Sequence, residues 1–240
     1  ALYRHPVLLA RIALDVARLS NGRLVLGLGI GDVPEEFKAL GLPALSVHQR
    51  QEKLEETIQV IKALWSGQPV VFEGKHLQIQ AQIPLLSPGG QPPAIPLLLA
   101  GGGERGTLKQ VAEYADVSNF GAHRLTGGAT NLEDVRRKYQ ILQAHCQQMG
   151  RDPRAILRSY LTMPLLLSKT PQALARKQEA LPAGLRLVFQ SSLVALQPQQ
   201  AIDYFRGLME AGVQYVIVGV TLQDLETLEL LRTEVWPALS

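Results

Sequence analysis

Residues 95–120 read Ile-Pro-Leu-Leu-Leu-Ala-Gly-Gly-Gly-Glu-Arg-Gly-Thr-Leu-Lys-Gln-Val-Ala-Glu-Tyr-Ala-Asp-Val-Ser-Asn-Phe. The apolar run Leu97 to Ala100 predicts a buried strand, and Leu108, Val111, Ala112 and Ala115 recur at helical spacing. Between them stand Gly101, Gly102 and Gly103. A strand, glycines and a helix in that order leave backbone N–H groups at a helix start with no side chains in front of them. Those orphan donors and the positive end of the helix dipole favour a phosphate. A tight turn needs glycine only where φ is positive. Three in a row exceed that need, so the stretch reads as an anion site.

Working outward, the chain alternates between helical and strand periods. Pro6 to Leu19 predicts a helix with Leu9, Ile12, Ala13, Val16 and Leu19 on one face, closed by Asn21-Gly22. Arg23 to Gly29 predicts a strand ending in glycines. A helix follows over about residues 46–65, with Leu54, Ile58, Ile61 and Trp65 on its apolar face. Residues 70–80 alternate around Gly74 and predict a small hairpin inside an inserted segment, 67–95, whose end is a Pro/Gly-rich loop.

Past the glycines, a strand is expected near Asp116–Phe120. Thr130 and Glu133 form a capping-box pattern for a helix with the stripe Leu132, Val135, Tyr139, Leu142, Cys146 and Met149, stopped by Gly150. Leu157 to Leu167 predicts a strand, Pro198 to Ala211 a helix, Val213 to Val220 a buried strand and Leu222 to Leu231 a closing helix. Residues 172–196 begin helical and then lose any clear period. Five strands separated by helices imply a parallel sheet covered by helices. An open doubly wound sheet and a (β/α)8 barrel both fit, although five strands cannot close a barrel.

Apolar residues make up 46% and charged residues 19%, enough for 240 residues to bury the core of one domain. No apolar run reaches the roughly 18–20 residues that span a bilayer, so no membrane partner is expected. Lys and Arg outnumber Asp and Glu by only 24 to 21, without a basic block, which argues against nucleic acid. The single cysteine, Cys146, excludes an internal disulfide and suits a reducing, cytoplasmic compartment; its place on a helical stripe marks a packing residue. No signal-peptide pattern is present.

Gly101-x-Gly103-x-x-Gly106 matches a dinucleotide fingerprint, but the following strand ends without the acid that would bind a ribose. A phosphate cradle without adenosine recognition survives that objection. The second glycine cluster, Gly27-Leu28-Gly29-Ile30-Gly31, ends its strand where α/β folds place ligands, and allows a flat ring to approach the backbone. Asp32 follows it, either as a proton-transfer or hydroxyl-binding carboxylate or as a turn residue. Glu35 and Glu36 read as a solvated first turn. His5, His48, His76, His123 and His145 lie on separate elements without metal-ligand spacing, so no metal is expected. His123 alone stands just past a strand end, where a side chain can meet a substrate. Ser191-Ser192 lacks the context of a hydrolase elbow.

Several motifs occur together in order. Arg4 to Ala10, Leu19 to Leu24 and Leu26 to Gly29 resemble the central part of luciferase-like flavin oxidoreductases. Gly101 to Leu108, Tyr114-Ala115-Asp116 with Asn119, and His145-Cys146 followed by Gly150-Arg151-Asp152-Pro153 are similar to the subgroup dependent on coenzyme F420. The likeness runs to about residue 160 and resumes over 197–239. It implies a (β/α)8 TIM barrel with a hairpin insertion and a flavin or deazaflavin at its mouth. The reaction implied is hydride transfer between coenzyme F420 and a small organic substrate; alternatives are an FMN-dependent monooxygenase using oxygen, or a non-catalytic flavin-binding fragment. Ala100 and Gly101, Gly102, Gly103 and Glu104 would bind the cofactor phosphate through backbone N–H groups with Thr107 nearby, while Ile30 and Gly31 would lie against the ring. Asp32 stands where some relatives place a proton-transferring glutamate. The resemblance also implies that this chain lacks the first three barrel strands, leaving strands 4–8, and that a homodimer is a common assembly.

Overall fold

Pro6 sets the φ of the first turn of α1 (Pro6–Leu19), and Asn21 and Gly22, at φ 53° and 76°, end it. The computed structural model describes residues 3–31, 33–81, 94–123, 127–190, 192–221 and 223–239. They gather into two units: Ala1–Ala100 with Glu113–Val117, and Gly101–Ala112 with Ser118–Ser240.

In the first unit, α1 buries Ala10, Leu14 and Ala17 together with Ala13, the one residue of the expected face that is buried; Leu9 is half-buried. Ile12, Val16 and Leu19 are exposed. The reason is volume: the alanines let α1 lie close against α3 (Val47–Trp65), whose Trp65 indole N–H donates to Ala10 O at 3.1 Å. Between these helices come β1 (Leu26–Gly29) and α2 (Pro34–Ala39), the latter starting with the exposed Glu35 and Glu36. Ser46 and Gln49 form a capping box at the start of α3, and Leu54, Ile58 and Ile61 are fully buried. The hairpin β2 (Val70–Glu73) and β3 (Gln78–Ala81) is antiparallel, as expected. Its turn is tied to α3, because the Glu56 carboxylate accepts the N–H groups of Lys75, His76 and Leu77. The remainder of the proline-rich loop, 82–93, lies outside the described residues. β4 (Leu97–Ala100) pairs in parallel with β1, Gly29 opposite Ala100, so both strands end level.

The second unit opens with α4 (Thr107–Tyr114), whose Leu108, Val111 and Ala112 are fully buried; its last two residues group with the first unit. The strand β5 (Val117–Gly121) is buried throughout. Next, α5 (Leu132–Gln148) is capped by Asn131, which accepts the Asp134 N–H at 2.8 Å, and not by Thr130 with Glu133. Asn131 sits one residue later in the extended conformation that a cap requires. Cys146 is fully buried, and burial raises its thiol pKa.

The long strand β6 (Leu157–Leu167) precedes α6 (Pro171–Ala180), α7 (Ala183–Val188) and β7 (Val194–Leu196), which resolve the unreadable stretch. Then come α8 (Pro198–Glu210), β8 (Tyr215–Val220) and α9 (Leu225–Leu230). β6 pairs in parallel with β8 through its first half and with β7 at its end. β8 is not the buried strand expected: Tyr215 is exposed and the rest are half-buried. Among the described residues it pairs with β6 alone, which leaves its other edge open. The result is an α/β fold with a parallel strand core.

Candidate functional site

Two glycine turns follow level strand ends. After β1, Ile30 and Gly31 are half-buried and Gly31 adopts φ 72°. A Cβ on Gly31 would meet Phe37 Cζ at 2.5 Å, so only glycine fits. Arg50 of α3, 8% exposed, donates from Nη1 to Gly31 O and lies 5.5 Å from the Phe37 ring centre. Tyr3 stacks on that ring at 5.2 Å and donates its hydroxyl to Glu36. Arg50 Nε is buried with no hydrogen-bond partner among the described residues. Asp32, the carboxylate expected here, lies outside the described residues.

After β4, the second unit begins with the glycine loop. Gly101, at φ 128°, spends its N–H on Asn119 O at 2.9 Å, extending the sheet. The expectation that this amide also binds the cofactor is therefore corrected; Gly101 contributes its conformation. Among the described residues, the N–H groups of Gly102, Gly103, Glu104 and Arg105 have no hydrogen-bond acceptor. A Cβ on Gly102 would collide with Gly127 O, and one on Gly103 would lie 3.2 Å from Thr107 Oγ1. Thr107 is buried, so its hydroxyl faces the loop from the first residue of α4. The expected residues 101–104 and 107 thus come together, with unspent donors at a helix start.

Glu104 places a carboxylate beside this loop, against the needs of an anion. Two cations answer it: Lys138 Nζ at 3.3 Å and Arg137 Nη1 at 2.5 Å, with Arg137 also bonded to Asp134 at 2.9 Å. Burial opposes ionisation of Glu104, but Lys138 and Arg137 outweigh it and hold the carboxyl below its ordinary pKa. The charges of these four side chains balance, so this cluster adds no net attraction for a phosphate, which the N–H array and helix dipole supply.

The loop after β5 folds back over the same place. His123 accepts the Gly128 N–H on its carbonyl at 3.0 Å, and Ala129 donates to Gly121 O at 2.9 Å. A Cβ on Gly128 would strike Gly121 O, so the return is built for close backbone passage. Residues 124–126 lie outside the described residues. Sequence reading missed Gly127, Lys138 and His145, which touch the loop directly. Lys138 and His145 had a readable signal: both fall three residues after members of an apolar stripe, Val135 and Leu142, where a charged or polar side chain needs a buried partner. Among the described residues, no group of three or more His, Cys, Asp or Glu could hold a metal ion, and no helix is long and apolar enough to cross a membrane.

A model of the luciferase-like monooxygenase family matches residues 1–215. The pyrimidine monooxygenase RutA of Allorhizobium ampelinum is 31% identical over 183 residues, covering 75% of this chain and 46% of its own. The chain thus spans about half the length of this curated relative. Among solved structures, an F420-dependent secondary alcohol dehydrogenase in complex with an F420–acetone adduct superposes with a TM-score of 0.80 at 18% identity, over 98% of this chain and 76% of the other. A riboflavin lyase with modified FMN and riboflavin gives 0.78 at 14% identity, over 99% and 68%. At such identities these two speak for a shared fold, and the parallel strand core is consistent with a TIM-barrel-like luciferase fold.

Proposed function

The chain belongs to the luciferase-like monooxygenase family, and from that premise we propose that it serves an FMN-dependent monooxygenation of a small organic molecule. The observation that carries the reading is the row of unspent N–H groups from Gly102 to Arg105 at the start of α4, faced by the Thr107 hydroxyl. These groups fit a phosphate ester: they are donors, they need no side chain to be displaced, and the helix dipole adds to them. The family match and a monooxygenase relative at 31% identity weigh for FMN and oxygen over the F420-dependent hydride transfer that the glycine-run motifs alone favour.

In this reading the amides of Gly103, Glu104 and Arg105 with the Thr107 hydroxyl hold the phosphate, and Gly101 sets the turn. Ile30 and Gly31 are assigned to the ring on the resemblance alone, and Asp32 and His123 to proton transfer and substrate contact. Reduced FMN, when bound, supplies the electrons for oxygen activation. The protein's share is to fix the phosphate and so the position of the ring.

The second reading keeps the same phosphate site and exchanges FMN for coenzyme F420, on the motif Gly101–Leu108 with Asn119. Titration of the protein with each cofactor separates them, followed by oxygen uptake with reduced FMN and candidate small heterocycles. Saturable FMN binding and substrate-dependent oxygen uptake are expected. Binding of F420 alone, with no oxygen uptake, would replace the first reading by the second.

A further inference from the structure

Two side chains of α5 reach the glycine loop and take its carbonyl oxygens. Lys138 Nζ donates to Gly102 O at 2.8 Å, and His145 Nε2 bonds Glu104 O at 2.9 Å. A carbonyl oxygen can only accept, so His145 carries its proton on Nε2. The two residues are seven apart, two helical turns, and therefore share a face of α5.

Peptide geometry turns these two bonds into a statement about the loop's donors. A trans peptide unit points its N–H opposite to its C=O, and among the described residues the one cis bond is Met163–Pro164. With the Gly102 carbonyl drawn toward α5, the Gly103 N–H faces away from α5. With the Glu104 carbonyl drawn the same way, the Arg105 N–H does too. Neither amide has an acceptor among the described residues.

The lysine is otherwise hard to account for. It is 3% exposed on a stripe where a leucine or methionine would pack, and burying an ammonium costs stability unless it is paired. Its two bonds both go to the loop, to Gly102 O and Glu104 Oε1. Because its charge is matched within the cluster with Glu104, Arg137 and Asp134, its distinctive contribution is direction.

We propose that Lys138 and His145 are positioning residues that aim the Gly103 and Arg105 amides outward at the phosphate of the cofactor. The proposal deepens the FMN reading and rests on it.

FMN and riboflavin differ by one phosphate, so the ratio of their dissociation constants isolates the loop. Both are measured by fluorescence titration on the wild-type chain and on Lys138→Met, His145→Ala and the double variant Lys138→Met with Glu104→Gln. For Lys138→Met the FMN constant is expected to rise about ten- to hundred-fold and the riboflavin constant to stay within about two-fold, the scale of a lost hydrogen bond to a charged group. His145→Ala is expected to move the ratio in the same direction by less. If Lys138→Met fails to fold, the double variant, which also removes the carboxylate then held by Arg137 alone, and the part-exposed His145→Ala carry the same expectation. An unchanged ratio in the folded variants, or equal weakening of both flavins, overturns the proposal. Equal binding of the two flavins by the wild-type chain overturns the phosphate reading itself, and the proposal with it.

Discussion

The turn after β1 and the loop after β4 use one device. In each, a buried cation from a helix holds a glycine carbonyl: Arg50 on Gly31 O, Lys138 on Gly102 O. What stands in front of them differs. Gly31 faces the Phe37 ring, which also contacts Tyr3 and Arg50, so that turn is packed shut on one side. Gly102 faces backbone, the carbonyl of Gly127, and the amides that follow it have no acceptor among the described residues. The same signature, a strand ending in glycines, therefore yields a packed turn or an anion cradle. Both turns lead into a helix, and what fills the space before it decides which: the Phe37 ring after Gly31, or only glycine backbone after Ala100.

The largest test of that contrast is Gly102→Ala. Its Cβ would collide with Gly127 O, and neither side of that contact is a flexible side chain. The loop must shift, and FMN affinity is expected to fall by about two orders of magnitude, the loss of one or two charge-assisted hydrogen bonds, read by fluorescence titration. Gly103→Ala meets only Thr107 Oγ1 and should cost far less; equal losses would mean that the crossing with Gly127 does not shape the cradle.

Gly31→Ala comes next. It combines φ 72° with the Phe37 contact. A loss of about 1–3 kcal/mol is expected from urea unfolding, with the preference for FMN over riboflavin kept. If that preference vanished, the two turns would not be separable in function.

A third test concerns pH. Lys75 and His76 hydrogen bonds hold the Glu52 carboxyl at about 2, down from 4.5. A carboxylate with a depressed folded pKa contributes stability above its unfolded value and loses that contribution as pH falls through the folded one. The hairpin's anchor to α3 should therefore weaken between about pH 4.5 and 2, and Glu52→Gln should flatten that part of the acid-unfolding curve. An unchanged curve would show that Glu52 adds nothing. The smallest effect is Asn131→Ala, expected to lower stability by about 1 kcal/mol through loss of the α5 cap, measured in the same unfolding assay.

The sequence carried the architecture well where side-chain period and glycine position agree. Pro6–Leu19 and Leu157–Leu167 are bounded as their patterns predict, and the buried face of α4 is the one its spacing demands. Period alone failed on α1, where small alanines rather than most of the larger aliphatics make the contact, and on β8, whose apolar run pairs on one side only among the described residues. Neither fact is local to the segment. The glycine loop was legible as an anion site, but its orientation was not. The partners that aim it come from α5, more than thirty residues later, and Gly101's amide is spent on a strand that the spacing does not place beside it.

The central claim is that main-chain donors of this loop meet the cofactor phosphate. Amide chemical shifts on isotope-labelled protein, recorded with FMN and then with riboflavin, test it most directly. The account expects the Gly103 and Arg105 amide protons to move strongly downfield with FMN only, while that of Gly101 holds its place against Asn119. Shifts of equal size with riboflavin, or none at these two amides, would contradict it.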